Sequence, residues 1–290
     1  MKMRKILKFV LITLLTVSFF NVMSQNPADF EQAALDGSTT SYVTVEKTMP
    51  FYVQPDLTYH PSWTAFSNNL TPNFTWVWTV PAGLTLTSQS DNYVTITANT
   101  VGDYVVNVKE KAPAAWGGCE DPTGVNITIS VVDKPELHSF PMFASIPLNN
   151  GETYQTCAPY TLSPSIEVSG FPNFRVHFTL TQQALDINGN PTGVINTVIE
   201  NSIVGGGNTL TRLTNQTYVF DADRVLDLIT PETRTQYVYT ITGITDNISR
   251  KSDYLGTETL YGTSNTFTFI VNPTPVTGPI YHIPNDFGNI

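Results

Sequence analysis

Apolar and polar residues alternate with a period of two along residues 73–109, and the prediction of the fold starts from this stretch. Side chains two positions apart lie on the same face of a β-strand, so each alternating run predicts a strand with one buried face. Three such strands follow one another, separated by Gly, Asn and Asp residues that are typical of turns. The predicted buried positions are Phe74, Trp76, Trp78 and Val80 in the first strand, Tyr93 or Val94 with Ile96 in the second, and Tyr104, Val106 and Val108 in the third.

The alternation extends on both sides of this stretch and predicts an all-β fold of two tandem immunoglobulin-like sandwiches. Residues 41–133 have the length of a seven-stranded sandwich, with a buried tryptophan on a central strand and a tyrosine at the start of a late one. Residues 134–272 repeat the pattern with longer strands and form a second, larger sandwich. One helix is predicted at 221–229, with Asp221 as its N-cap and Pro231 beyond its end.

The sequence resembles a PKD-like domain, whose motifs occur in the same order at residues 76–83, 93–97 and 101–108 and are followed by Cys119. The pattern is roughly Y-x-W-x-V-P-x-G, V-x-V, G-x-Y-x-V-x-V and then Cys, in secreted and cell-surface proteins of Bacteroidota. The resemblance implies a β-sandwich of the immunoglobulin superfold that serves in adhesion or spacing, and it implies no catalytic residue. Such domains often pair the Cys with an earlier one in the same domain, but no Cys precedes Cys119 here.

The first 24 residues have the features of a cleaved signal peptide, with an uncleaved anchor as the alternative. A positively charged start precedes an apolar run that is too short to span a bilayer. We therefore expect an exported protein, at the cell surface, outside the cell or in the periplasm, with residues 25–40 as a loosely held N-terminal lead. The chain without residues 1–24 has 10 basic and 24 acidic residues, a net charge of −14. Such a charge disfavours nucleic acids and anionic membranes as partners, and no second apolar stretch reaches transmembrane length.

The two cysteines, Cys119 and Cys157, fall in different predicted sandwiches. In an end-to-end pair, with each sandwich about 35–40 Å long, the two would lie far beyond the Cα–Cα limit of about 7 Å for a disulfide. An intramolecular bond is therefore not expected unless the sandwiches fold back. In a head-to-tail stack, Cys157 of one molecule would approach Cys119 of the next, which makes the pair a candidate intermolecular disulfide.

Loop aromatics are the first candidates for ligand contacts. Trp63 and Trp116, with Tyr93, could form a platform for sugar rings, and Trp116 is followed by two glycines that give its side chain little cover. The alternative is that these tryptophans close the end of the sandwich.

The tail of residues 273–290 supplies the second set of candidate contacts. Its four prolines exclude a central strand, but its apolar residues are too many for a simple spacer. We expect it to dock on its own sandwich or to add a strand to a protein partner, with a frayed end as the alternative. The candidate partner contacts in the tail are Ile280, Tyr281, Ile283 and Phe287.

No motif for catalysis or for a cofactor is present. The four histidines lack zinc-site spacing, and neither a nucleophile elbow nor a phosphate loop occurs. Residues 186–190 resemble part of a calcium loop but lack its bidentate Glu, and Asn-Gly favours a hairpin turn instead. Ca²⁺ between the sandwiches would have Asp133, Glu136 and Asp246 as candidates by composition alone.

The pattern as a whole predicts a non-enzymatic adhesion or structural module, and possible membership of an extracellular assembly. Self-association or a protein partner would use the sandwich ends or the tail. The alternative is a carbohydrate-binding accessory module that uses loop aromatics to bind glycans. The prediction depends on buried tryptophans, and an open cleft that exposes Trp76 or Trp78 beside acids or histidines would favour an enzyme instead.

Overall fold

The computed structural model describes residues 40–63, 69–143, 146, 148–207, 209–253 and 258–275. These residues are mainly β-strand, which confirms the all-β prediction. The chain divides into two compact units. The first comprises residues 1–134 with 246–259, and the second comprises residues 135–245 with 260–290. Residues 246–259, which the sequence analysis placed in the second sandwich, thus belong to the first unit.

The first unit has the strand order of an immunoglobulin-like sandwich. One sheet has the order β1-β7-β6-β3, with β1 parallel to β7, and the other has the order β2-β5-β4. Its strands are β1 (Thr40–Thr44), β2 (Thr48–Tyr52), β3 (Thr75–Thr79), β4 (Leu84–Ser90), β5 (Tyr93–Ala98), β6 (Gly102–Lys111) and β7 (Val125–Val132).

The core of the first unit lies between these two sheets and follows the predicted alternation. Trp76 is 4% exposed, whereas its neighbour Val77 on the other face of β3 is 42% exposed. In β5 the buried residue is Val94 rather than Tyr93. The alternation of Val125, Ile127, Ile129 and Val131 in the sequence predicts that all four point inward, but Val125, the first residue of β7, is 57% exposed.

Tyr104 lies near the start of β6, where a tyrosine corner was predicted. Its ring packs on Gly83 in the connection between β3 and β4, so closely that a Cβ at Gly83 would lie 2.4 Å from the Tyr104 hydroxyl oxygen. Gly83 has a φ of +103°, a conformation that residues with a side chain rarely adopt. The contact between ring and glycine therefore holds this corner of the sandwich.

The second unit places a five-stranded sheet, in the order β13-β12-β16-β17-β9, with a three-stranded sheet, in the order β14-β11-β8. A short ladder of β10 and β15 completes it. The strands are β8 (Glu136–Phe143), β9 (Thr153–Cys157), β10 (Tyr160–Leu162), β11 (Pro164–Gly170), β12 (Phe174–Leu185), β13 (Pro191–Val204), β14 (Leu213–Val219), β15 (Arg224–Leu226), β16 (Arg234–Thr245) and β17 (Asn265–Asn272). In the five-stranded sheet, β13 is an additional strand beside β12, as in the larger immunoglobulin-like sandwiches.

One aromatic-rich core fills the second unit. The alternation of residues 174–180 in the sequence predicts one inward face for β12. This is confirmed, since Phe174, Val176, Phe178 and Leu180 are each at most 1% exposed. A charged group is buried at the edge of this core. Asp221 accepts hydrogen bonds from the Arg224 guanidinium and, at 2.7 Å, from the Tyr239 hydroxyl.

The helix predicted at 221–229 is wrong. Residues 224–226 form β15, which pairs with β10, and Asp223 before it has a φ of +52°. Asp221 does not cap a helix, because its carboxylate is bound by Arg224 and Tyr239. A long-range contact in the core thus overrides the local helix signal.

The helix among the described residues that is longer than one turn is α1 (Asn247–Ser252), which follows β16. The Asp246 side chain accepts a hydrogen bond from the Ser249 backbone N–H, and the Ser249 hydroxyl accepts one from the Asp246 N–H, so the two form a capping box. At its other end Ser252 accepts a hydrogen bond of 2.9 Å from the Thr44 N–H of β1. Helix α1 therefore belongs to the structure of the first unit.

Candidate functional site at the aromatic end of the first unit

The predicted ligand contacts fall into different places. Ile280, Tyr281, Ile283 and Phe287 lie outside the described residues, as does the predicted signal peptide. Trp63 is half-buried and its ring lies 6.4 Å from that of Tyr52, which pairs with Tyr93 in the sheet. The Trp116 ring instead contacts Tyr59 and Phe74. The proposed trio of Trp63, Trp116 and Tyr93 is therefore divided between two aromatic groups.

His60 organises the group that includes Trp116. Its ring is fully buried and lies 4.4 Å from the ring of Phe74. The Thr71 backbone N–H donates to His60 Nδ1 at 2.9 Å, so the proton of the neutral ring sits on Nε2 and is donated to Glu110 at 2.7 Å. With both nitrogens bound, His60 joins the loop after β2 to β6 and has none left for a metal or a substrate.

Two exposed aromatic side chains, Tyr59 and Trp116, pack on Phe74 beside this ring. We call these two, together with Leu57, an exposed residue of the same loop as Tyr59, the aromatic end. Leu57, Tyr59 and Trp116 are 46%, 49% and 57% exposed, respectively. Trp116 ends the 3₁₀ turn Ala114–Trp116, and its ring meets that of Phe74 edge to face at 5.5 Å. The exposed Trp116 ring therefore packs against a buried aromatic ring, which holds it in place.

The loop that carries Trp116 is closed at its base. The Ala112 N–H donates to the Cys119 carbonyl at 2.8 Å, and the Asp121 N–H donates to the Glu110 carbonyl at 2.9 Å. These bonds extend the pairing of β6 beyond the end of the sheet. They hold the turn in a fixed place above the sandwich, which is the arrangement of a preformed binding surface.

A cleft of about 250 Å³ lies in the same unit, lined by Trp76 at its base. Trp76 is 4% exposed and its buried indole N–H has no hydrogen-bond partner among the described residues. The cleft is otherwise lined by Val53, Gln54, Pro55, Asp56, Val108, Glu110, Asp121 and Val125. This cleft resembles the one that would favour an enzyme, because Trp76 was predicted to lie in the core. Three acids line the cleft with it, and one of them binds His60.

The acids of the cleft hold loops in place. Glu110 binds His60 with one carboxylate oxygen and accepts the Asp56 backbone N–H with the other, at 2.9 Å. Hydrogen bonds from the Thr58 backbone and side chain lower the pKa of Asp56. Backbone N–H groups of Thr123 and Gly124 lower the pKa of Asp121. Both aspartates thus stay ionised and act as acceptors, whereas a general acid needs a raised pKa.

In the described part of the chain, no cluster of three His, Cys, Asp or Glu side chains could hold a metal ion. The partial calcium loop is the turn between β12 and β13. There Asp186 accepts the Asn190 backbone N–H at 2.7 Å and its side-chain amide at 3.0 Å, which lowers the pKa of Asp186. Of the other acidic candidates, Asp246 is the N-cap of α1.

Sequence reasoning did not find Tyr59 and His60 as parts of the site. The hydrogen-bond partners of His60 lie 11 and 50 residues away along the chain, so no local spacing could reveal them. The one available signal was the clustering of aromatic residues in the loop after β2. Cys119 and Cys157 are both exposed free thiols.

Comparisons with known proteins bear on the fold. No protein-family model and no curated protein matches this chain. Solved structures with similar architecture include fibronectin(III)-like modules of Clostridium thermocellum CbhA, which are 13% identical over 85% of this chain and 97% of theirs, with a TM-score of 0.28. The four N-terminal Ig domains of Dscam1 are 10% identical over 82% of this chain and 44% of theirs, with a TM-score of 0.20.

A third structure is SGBP-B of the Bacteroides ovatus mixed-linkage glucan utilization locus, in complex with a mixed-linkage heptasaccharide. It is 13% identical over 79% of this chain and 44% of its own, with a TM-score of 0.17. At these scores the similarities carry no argument about function. The immunoglobulin-like assignment of each unit therefore stands on its strand order. Within the described residues, no helix has the length and apolar character needed to cross a membrane.

Proposed function

We propose that this protein is an exported, non-catalytic module that acts in adhesion or in the structure of a surface assembly. The observation that supports it is the aromatic end, where exposed Tyr59 and Trp116 pack on buried Phe74, which in turn contacts His60. Rigid, exposed aromatic side chains provide contact area at low entropic cost, which favours recognition of a partner. The PKD-like pattern of the sequence supports the same function.

A binding role also explains the cleft better than catalysis does. His60 is occupied at both nitrogens, and the hydrogen bonds that lower the pKa of Asp56 and Asp121 remove the proton that a general acid would have to donate. What remains in the cleft is a set of ionised acceptors beside aromatic surface.

The adhesion proposal is tested in cells that lack the gene and are complemented with variants. We expect the Tyr59→Ala/Trp116→Ala pair to lose attachment of cells to one another and to surfaces, at an unchanged amount of exported protein. Val105→Ala is the matched control, because Val105 is 56% exposed on β6 of the same unit but lies outside the aromatic end. Full attachment by the double variant would contradict the proposal, and so would retention of the protein in the cytoplasm.

The second candidate function is carbohydrate binding, which the carboxylates of the cleft favour; one of them, Glu110, binds His60 beneath the aromatic end. Sugar hydroxyls donate to ionised carboxylates while the sugar ring packs on an aromatic face, and pockets of this kind combine apolar walls with a few polar groups. Because Asp56 and Asp121 stay ionised, the preferred ligand would be a neutral glycan rather than an anionic one.

A glycan array of neutral and acidic oligosaccharides, probed with residues 25–290, tests this candidate. We expect binding to neutral glycans, and a loss of roughly tenfold in affinity for Trp116→Ala, equal to about 1.4 kcal/mol, by titration calorimetry. Val105→Ala should bind as the unaltered chain does. An array without neutral hits, or equal affinities of Trp116→Ala and the unaltered chain, would exclude the aromatic end as a sugar site.

A further inference from the structure

β13 forms an edge of the five-stranded sheet and is unusual in its length. It has 14 residues and pairs with β12 on one side, and no described strand pairs with it on the other. The remaining edge strands of the described sheets have between three and eight residues. Edge strands are normally kept short because each leaves a row of backbone N–H and C=O groups without partners.

Four exposed side chains of β13 are apolar, among exposed polar ones such as Asn196 and Asn201. Val194 is 79% exposed, Ile195 59%, Val198 38% and Ile203 60%. Val194 and Ile195 lie between Asn196 and Thr192, where the pairing of β13 with β12 shifts register. Proteins protect such edges with lysines, internal prolines or β-bulges. β13 has no lysine and its one proline, Pro191, is its first residue, so the register shifts in its pairing with β12 are the protection that remains.

We propose that β13 is a self-association site at which the β13 strand of a second copy of this chain adds in the antiparallel direction, about a two-fold axis. The free N–H and C=O groups of each strand would pair with those of the other, which is the ordinary way in which a strand adds to a sheet edge. Two five-stranded sheets would become one continuous sheet, and both free edges would be removed in the same step.

The charge of the strand indicates a second copy rather than a different partner. The whole chain has a net charge of −10, whereas Glu200 is the single charged residue in the sequence of β13. An edge with a single charged residue offers little with which to select a charged partner. In a two-fold antiparallel pair the two Glu200 residues face each other only when the axis passes at that residue, so every other register avoids direct repulsion.

The symmetry also limits the assembly to two copies. A two-fold interface uses the same patch on both subunits and is closed, whereas a head-to-tail contact would continue into filaments. This inference concerns the second unit and goes beyond the proposed function, which depends on the aromatic end of the first unit.

Analytical ultracentrifugation of residues 25–290 over a range of concentrations tests the proposal. We expect a reversible equilibrium of monomer and dimer, and a dimer at least tenfold weaker in the Val194→Lys/Ile195→Lys variant. In that variant each copy would carry two of the lysines with which proteins protect free strand edges. Amide hydrogen exchange in residues 191–204 should slow as the protein concentration rises, because the outward N–H groups gain partners.

Two control variants distinguish strand pairing from nonspecific hydrophobic association. Val105→Lys alters an exposed valine of β6, a strand with neighbours on both sides, and Ile187→Lys alters a 92% exposed residue in the turn before β13. Both should dimerise like the unaltered chain, and Trp116→Ala should do so whether or not it binds glycans. A monomer at every concentration, a dimer that survives the double substitution, or equal loss in Val105→Lys would overturn the proposal.

Discussion

His60 shows how much a single buried residue decides in this protein. Its two ring nitrogens bind groups from the loop before β3 and from β6, and its ring supports Phe74 beneath the exposed Trp116. A histidine in a chain without other motifs could have been a catalyst or a metal ligand. The Thr71 N–H decides against both, because it occupies the nitrogen that would have to accept a proton or an ion.

Gly83 gives the first prediction at the residue scale. Gly83→Ala should lower the free energy of unfolding by about 2 kcal/mol, because it adds backbone strain at positive φ and drives a Cβ into the Tyr104 ring. The measurement is urea denaturation followed by tryptophan fluorescence. Gly117→Ala is the matched control, since its φ is +88° but the atom nearest to a new Cβ is 3.9 Å away. Equal losses in the two variants would leave no role for the contact with Tyr104.

Tyr239 gives the second prediction, through its ionisation. Burial and the hydrogen bond to Asp221 raise the pKa of Tyr239 far above the ordinary value of 10.0. The folded state therefore keeps this proton while the unfolded state loses it, so the stability that it contributes is present below pH 10 and declines as the pH rises above that value.

Tyr239→Phe should remove part of this alkaline decline. At neutral pH we expect a loss of about 1 kcal/mol, since Asp221 keeps its bonds to Arg224. Urea denaturation at pH 7 and at pH values above 10 measures both effects. A variant with the same alkaline slope as the unaltered chain would show that the proton on Tyr239 does not contribute to the pH dependence.

At the scale of elements, local sequence signals compete with long-range contacts. The helix predicted at 221–229 does not form, because β15 pairs with β10 and because Asp221, Arg224 and Tyr239 form a hydrogen-bonded group at the edge of the core. Helix α1 forms instead because Asp246 and Ser249 satisfy its first N–H groups and Thr44 binds its last turn. Six residues would not form a helix in water without such partners.

The cap of α1 provides the third prediction. Asp246→Ala should lower the free energy of unfolding by about 1–2 kcal/mol, because the Ser249 N–H loses its acceptor in a buried place. Amide exchange of residues 247–252 should also accelerate. Lys251→Ala, at an exposed position of the same helix, should change stability by less than about 0.5 kcal/mol. The prediction fails when the two variants unfold at the same urea concentration.

At the scale of the whole molecule, net charge and free thiols limit what the protein can assemble with. A net charge of −10 opposes close approach of copies except at uncharged surfaces. With a single charged residue in its sequence of 14, β13 comes close to such a surface. The exposed Cys119 and Cys157 are a further possible link between molecules in an oxidising compartment.

The fourth prediction concerns these thiols. If Cys157 of one molecule bonds to Cys119 of the next, non-reducing electrophoresis of the oxidised protein should show a ladder of covalent oligomers. Cys119→Ser and Cys157→Ser should each abolish the whole ladder, because every link needs one thiol of each kind. A covalent dimer that persists in either variant would instead indicate like-with-like bonds, and a monomer alone would exclude the link.

The alternating pattern by itself determined the fold class and most of the core. Period-two patterning states which face of a strand is apolar, and burial of that face is a local consequence, so Phe74, Trp76 and the inward residues of β12 could be predicted from the sequence. The turn at 186–190 was equally local, because Asp186 and Asn190 bind each other.

Only the tertiary structure decided the site and the exceptions. The bonds of His60, the support of Trp116 by Phe74, the burial of Asp221 and the place of α1 in the first unit all join residues that are distant in the chain or on different strands. The exposed edge of β13 likewise follows from strand order and not from strand pattern. Alternation shows which side of a strand is apolar but not which strand lies beside it. The surfaces proposed here for binding, the aromatic end and β13, depend on those neighbouring elements.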